Sequence, residues 1–274
     1  MTYQINSSGP SRQLLDARNV ARLALQDSFR REAGKVDPPR DFRWIKAEFT
    51  WPSFDHLTFG YGNQVFSVVV ELRDGGQSLM TEQERRRCSE AASAFGLVPC
   101  SFAVESRTMR PAAEGWNLTH LVTGRPVIPA EQVTDASIEM SEWELHNFAI
   151  QVVRSYIEQD LGGKVDSFCD VVGIDPQIWF KDSRGAKCWV IVRHLRNIVG
   201  DEKNQWIGHE KKSVSLRLCD GFFAAVCLAS ASPVLKDAGG KVVPLSERFS
   251  GRAPLWRCDP FHVKFEGLQR IHVV

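Results

Sequence analysis

Ile174–Arg196, IDPQIWFKDSRGAKCWVIVRHLR, is the stretch whose reading decides the fold. Its apolar and polar residues predict a strand over Gln177–Phe180, a polar turn over Lys181–Lys187 and a second strand over Cys188–Leu195. An echo of it lies upstream at Phe54–Arg73, FDHLTFGYGNQVFSVVVELR. In each copy an apolar residue precedes an aspartate, Asp55 or Asp175. A Gly-bearing turn follows, then a β-branched run closed by arginine. Eighteen positions separate Asp55 from Arg73, and eighteen separate Asp175 from Arg193. The two hairpins read as one unit used twice, 120 residues apart.

The flanking sequence repeats the same order. In the first half, Ser11–Ala33 has helical apolar spacing and Phe42–Trp51 alternates as a strand. After the hairpin, Thr81–Phe95 opens with a capping box, Thr81 with Glu84, and ends before Gly96. Leu97–Val104 is then a strand. In the second half, Ser141 with Glu144 is another capping box, opening a helix through Asp160. Val165–Val172 reads as a strand, Lys203–Leu218 as a helix and Phe222–Ser230 as a buried strand. Short strands follow at Phe261–Phe265 and Ile271–Val274. Residues 106–135, rich in proline and glycine, mark the boundary, giving units 1–135 and 136–274.

The chain of 274 residues is 43% hydrophobic and 24% charged, enough to bury a core in each unit. Its net charge of +1 does not advertise non-specific binding to a phosphate backbone. No run approaches the roughly 20 apolar residues of a membrane helix, and MTYQINSSGPSRQLL lacks the layout of a secretory signal. Seven cysteines are scattered without a CxxC pair, mostly inside apolar runs. The expectation is a cytoplasmic protein with inert thiols and no membrane partner.

An aspartate entering one strand, with a charged-x-charged pair on the next, resembles the PD-(D/E)XK restriction-endonuclease-like superfamily. The resemblance covers roughly residues 141–230. It implies an α/β fold of two tandem αβββαβ restriction-endonuclease-like units, with mixed sheets flanked by helices. In that family two carboxylates hold Mg²⁺ and a lysine helps to activate the attacking water. Carried over, the positions are Asp175, Ile191 and Arg193 in the second half, and Asp55, Glu71 and Arg73 in the first. Ile191 departs from the pattern, because an isoleucine cannot ligate a hard cation. Arg193 departs too, because arginine can stabilise a phosphate but cannot act as a base. The first half keeps Asp55 and Glu71 as ligands for one Mg²⁺, with Arg73 on the phosphate. Against that stands the plainer reading, that Glu71 is an exposed charge at a strand end before Asp74-Gly75-Gly76.

What the resemblance implies is a catalytically degenerate nuclease-like protein that binds a macromolecular partner, protein or nucleic acid. The setting would be prokaryotic conflict, such as phage defence or toxin immunity. No cofactor is expected of that protein. The alternative is an active nuclease using Mg²⁺ at Asp55 and Glu71. Trp116 and Trp256 lie in Pro/Gly-rich connections, and each reads equally as a partner-binding anchor or as a pin for its own loop. The histidines form no HxH or HxxxH pair. His146 and Glu144 point to different sides of their helix, which argues against a shared site. Arg85-Arg86-Arg87 reads as a solvated helix face.

Overall fold

The computed structural model describes residues 11–33, 35, 42–46, 56–195, 219–232, 240–244, 248–249 and 254–271. The chain divides into two compact units, the first ending at Ser137 and the second beginning at Ile138.

The first unit opens with helix α1 (Arg12–Ala33), followed by strands β1 (Phe42–Lys46), β2 (His56–Tyr61), β3 (Gln64–Asp74) and β4 (Gln77–Ser78). Helix α2 (Glu82–Ala94) leads to β5 (Val98–Glu105), then β6 (Arg110–Pro111), β7 (Leu118–His120), β8 (Pro126–Val127) and the short helix α3 (Pro129–Gln132). The sheet order is β1-β2-β3-β5-β7-β8, with β4 on β3 and β6 on β5. β1, β2 and β3 are antiparallel neighbours, while β3 and β5 run parallel because α2 carries the chain back. The α1 face of the sheet holds the core: Ala21 and Leu25 pack with Phe59, Phe66, Val68 and Phe102. α2 begins as its sequence dictates, with Glu84 N donating to Thr81 Oγ1 at 3.3 Å and Thr81 N donating to Glu84 Oε2 at 2.8 Å.

The second unit has helix α4 (Glu142–Ser155), a single π-helical turn (Tyr156–Asp160), and strands β9 (Lys164–Phe168), β10 (Ile178–Lys181) and β11 (Lys187–Leu195). Strands β12 (Asp220–Ser230), β13 (Phe261–Phe265) and β14 (Gln269–Ile271) complete it. The order is β13-β12-β11-β10-β9, with β14 also on β12. As in the first unit, three antiparallel strands precede a parallel one, here β11 beside β12. Leu145, Ile150 and Val153 of α4 pack on Val190, Val192 and Val226. Trp189, Ile191, Phe223 and Ile271 pack on the opposite face. The fold is therefore mixed α/β, two mixed sheets flanked by helices, and among the described residues each unit runs helix, three antiparallel strands and later a strand parallel to the third. The helix expected at Lys203–Leu218 lies outside the described residues.

The two hairpins nonetheless differ in register. The first closes through two residues, Gly62 and Asn63, with Tyr61 paired to Gln64. Gly62 has φ +54°, the conformation a two-residue hairpin asks of its first central residue, and a Cβ there would come within 2.9 Å of Val133. The second closes through five, Asp182–Ala186, between paired Lys181 and Lys187. Asp182 Oδ1 accepts from Arg184 N at 2.9 Å and Ala186 N at 2.8 Å, an Asx-type closure that the sequence DSRGA supplies. Counting from the turn, Glu71 is therefore three ladder positions beyond Ile191. The equal spacing of eighteen does not make the two residues equivalent in their sheets, although both lie on the face away from the first helix of their unit.

Residues 106–135, expected as a loose boundary, are held to the first unit. Asn63 Nδ2 donates to Thr134 O at 2.9 Å and to Ala136 O at 2.7 Å.

Candidate functional site

Glu71 is the first correction to the sequence reading. It is buried, 1% exposed, although it is followed by a turn. Alternation along β3 points it away from α1, on the side where α2 supplies Arg85. Arg85 Nη1 lies 2.6 Å from Glu71 Oε1, and Arg73 Nη2 lies 3.8 Å from Oε2. Arg85 thus leaves the solvated face expected for the arginine run, while Arg86 and Arg87 remain exposed. A carboxylate already faced by two guanidinium groups does not fit a Mg²⁺ ligand, since the cation would have to displace both. Asp55 lies outside the described residues, as does its distance from Glu71. Arg73 stands beside Glu71 at the longer distance of 3.8 Å and keeps 32% of its side chain exposed.

Trp116 is the second correction. It is 7% exposed and buried in an aromatic cluster, stacked on Phe59 at 6.0 Å and edge-on to Tyr61 at 5.7 Å between centroids. Its ring pins its own loop and cannot serve as a surface anchor. Trp256 is half-buried and pairs in a β-bridge with Glu139.

In the second unit the sequence-predicted pair comes together. Asp175 and Arg193 stand at the entry to β10 and near the end of β11, which pair side by side. Arg193 Nη1 donates to Asp175 Oδ1 at 2.8 Å and Nη2 to Oδ2 at 2.6 Å, a two-pronged fork. The side chains of Arg193 and Asp175 keep 14% and 23% of their exposure, so the pair is partly open to solvent. Asp175 also accepts from Gln177 Nε2 at 2.6 Å. Gln177 is wholly buried: its Nε2 also reaches Ile174 O at 2.6 Å, and its Oε1 accepts from Val192 N at 2.8 Å. One amide thereby ties the aspartate, the β9–β10 connection and the arginine-bearing strand together.

The helix adds residues that sequence reasoning did not assign. Five successive positions of α4, Trp143 through Asn147, are buried. Asn147 Nδ2 donates to buried Asp170 at 3.2 Å. His146 is 3% exposed, and among the described residues its Nε2 meets no hydrogen-bond partner. Burial pushes its imidazole down to about 4; the nearby charges of His194 and Arg193 act the same way, and Asp170 and Asp175 oppose them. His146 therefore sits neutral within electrostatic reach of the Asp175–Arg193 pair. The signal available in the sequence was a polar His146-Asn147 dipeptide inside the widest apolar face of the chain.

Glu144 serves a separate, structural purpose. It closes the capping box of α4, accepting from Ser141 N at 2.9 Å, and it also receives the fork of Arg257, Nε at 2.9 Å and Nη2 at 2.8 Å. Both side chains of that pair are 2% exposed. Glu144 and His146 do not share a site, as their helical positions predicted.

Among the described residues no group of three or more His, Cys, Asp or Glu side chains is placed to hold one metal ion, and no helix is long and apolar enough to cross a membrane. The seven cysteines form no disulfide among the described residues; burial pushes the thiol of Cys100 up to about 12, which keeps it protonated and unreactive. No curated protein and no solved structure matches the chain. A family model described as a domain of unknown function, DUF8840, matches residues 143–271, and so takes in the cluster around Asp175 and Arg193.

Proposed function

We propose that this chain is a catalytically degenerate nuclease-like protein that binds a macromolecular partner, and that its units keep the restriction-endonuclease-like arrangement without its metal chemistry. One observation carries the reading: each described carboxylate that the resemblance assigns to Mg²⁺ is engaged by arginine. Glu71 is paired with Arg85, with Arg73 more distant at 3.8 Å, and Asp175 is held by Arg193. Ile191, at the remaining ligand position of the second unit, is a buried core residue. A carboxylate neutralised in this way is engaged by its arginine instead of being open to a cation. The repeated element order supports descent of both units from one such scaffold. A cytoplasmic setting of prokaryotic conflict, phage defence or toxin immunity, belongs to the same proposal.

The test is direct. Purified protein is incubated with DNA and with RNA in the presence of Mg²⁺ or Mn²⁺, and neither is cleaved. Cleavage that disappears in Glu71→Ala, with the fold retained, would overturn the proposal in favour of a nuclease centred on Asp55 and Glu71. For the binding role, Trp256→Ala weakens capture of the partner from the native source, whereas Trp116→Ala acts on stability.

A further inference from the structure

Lys164, Lys181 and Lys187 stand in one row across three adjacent strands of the second sheet. Lys181 of β10 is paired directly with Lys164 of β9 on one side and with Lys187 of β11 on the other. Cross-strand partners share a face, and like charges directly opposite one another repel. The face is the one away from α4: Lys187 Nζ lies over the Trp179 ring at 5.0 Å, and Trp179 packs there with Trp189 and Ile191. All three lysines are exposed, and among the described residues none of them forms an ion pair. Asp182, next to Lys181, is taken up by the turn amides and by Arg184 Nε and Nη2 at 3.2 and 3.1 Å. The architecture does not require the row. In the first unit the strands beside the hairpin turn meet through Phe42, Tyr61 and Gln64, which carry no charge.

We propose that this row is a docking surface for an acidic helix of a partner protein, laid across β9, β10 and β11 with its carboxylates on the three ammonium groups. The inference rests on the binding role proposed above and names the class of partner. Neighbouring strands lie about 4.8 Å apart, so the row spans roughly 10 Å. Acidic residues at i, i+3 and i+7 of an α-helix line one face and rise about 10.5 Å in all, which matches the row. Alternate residues of an extended strand would spread the same three charges over about 13 Å and overshoot it. Lysine chemistry also favours carboxylates over a nucleic-acid backbone. The ammonium is a point charge, whereas phosphate recognition draws on the planar fork of arginine. Arg184, the one arginine of this turn, already donates to Asp182. β9 ends the sheet among the described residues, so a helix crossing the row meets no further strand beyond Lys164. The surface is distinct from the Asp175–Arg193 pair, because Arg193 lies six residues beyond Lys187, about 20 Å along β11. Each carboxylate that arrives relieves repulsion between neighbouring lysines, so acids in a stripe are preferred to acids scattered around a helix.

The full-length protein is titrated at low ionic strength, by calorimetry or NMR, with four probes. One is an alanine-based helical peptide carrying glutamates at i, i+3 and i+7. The second has the same composition with its glutamates spread around the helix, and the others are single-stranded and duplex DNA. Wild-type protein binds the striped peptide about fivefold more tightly than the scrambled one, and more tightly than either DNA. Lys181→Glu reverses the middle charge of the row and weakens the striped peptide by about tenfold, and Lys187→Glu acts in the same direction. Lys264→Glu, the same change of net charge on an exposed residue of β13, leaves binding as it is. Thermal melts accompany each variant. Four results would overturn the surface: no binding of the striped peptide, equal binding of the two peptides, binding retained in folded Lys181→Glu and Lys187→Glu, or an equal loss in Lys264→Glu. Tighter binding of either DNA than of the striped peptide would make nucleic acid the occupant and overturn the acidic helix. These outcomes are independent of the cleavage assay. A failed titration with no cleavage removes this surface and leaves the degenerate reading standing, whereas metal-dependent cleavage removes that reading whatever the titration gives.

Discussion

Glu71 and Arg85 belong to a strand and a helix that the chain must bring together before either charge has a partner. Glu71 is buried and Arg85 largely so, with 20% of its side chain exposed. Arg85→Ala would leave a carboxylate in the interior facing only the more distant Arg73. The expected cost is about 3 kcal/mol, read from urea unfolding. Glu71→Leu with Arg85→Met removes both charges and recovers most of that loss. His146 makes a different prediction. The unfolded histidine takes up its proton below its ordinary value of 6.5, while the folded one refuses it until about pH 4. Its contribution to stability is therefore complete above 6.5 and falls away as the pH drops toward 4, by about 3 kcal/mol in all. The groups that face it are His194 and Arg193, which oppose its charging, and Asp170 and Asp175, which favour it. Comparing urea midpoints of the wild type and His146→Gln across that window isolates the effect. An equal slope in both would mean that the imidazole is not buried neutral.

At the scale of elements, the parallel pairing of β11 and β12 depends on Gly221. A Cβ there would come within 2.2 Å of the Trp189 ring, which is completely buried and has nowhere to move. Gly221→Ala is expected to cost at least about 2 kcal/mol in thermal or urea unfolding. Elements like these were legible where their signals are local. Both capping boxes, the strand–turn–strand of 174–196 and the αβββ order are written in neighbouring residues. The register of the two hairpins was not, because it depends on whether the turn spends two residues or five. An equal sequence spacing hides that difference. The burial of Glu71 was illegible for a related reason: a glutamate beside Asp-Gly-Gly looks exposed until α2 lays Arg85 over it. Trp116 misled in the same way, since Pro and Gly neighbours suggest a surface loop while Phe59 and Tyr61 enclose the ring. At the candidate site, Asp175 and Arg193 were visible as a pair of charges. Gln177, Asn147 and His146 were not, because their roles arise only when the β9–β10 connection folds under α4.

The molecule as a whole has two cores, each built by its own sheet and helix. Denaturation is expected to show two cooperative steps rather than one. Arg85→Ala should move only the step belonging to the first unit. Arg257→Met, which strands the buried carboxylate of Glu144, should move only the other, by about 4 kcal/mol. Calorimetry of the two variants against wild type checks both. Equal displacement of a single transition would show the cores to be thermodynamically coupled.

The Glu144–Arg257 pair also bears on how the second unit is made. The two residues are separated by 113 positions, yet each is the other's charge partner in the interior. A ribosome delivers Glu144 first. Until Arg257 has left the exit tunnel, the first turn of α4 carries an acid that is costly to bury, and docking of that helix onto its sheet is held back. Stalled nascent chains ending before Arg257 should therefore remain sensitive to protease around α4, and chains extended past the complete unit should become resistant. The late arginine acts as a timing signal, letting the helix settle only once β9 to β12 have been delivered.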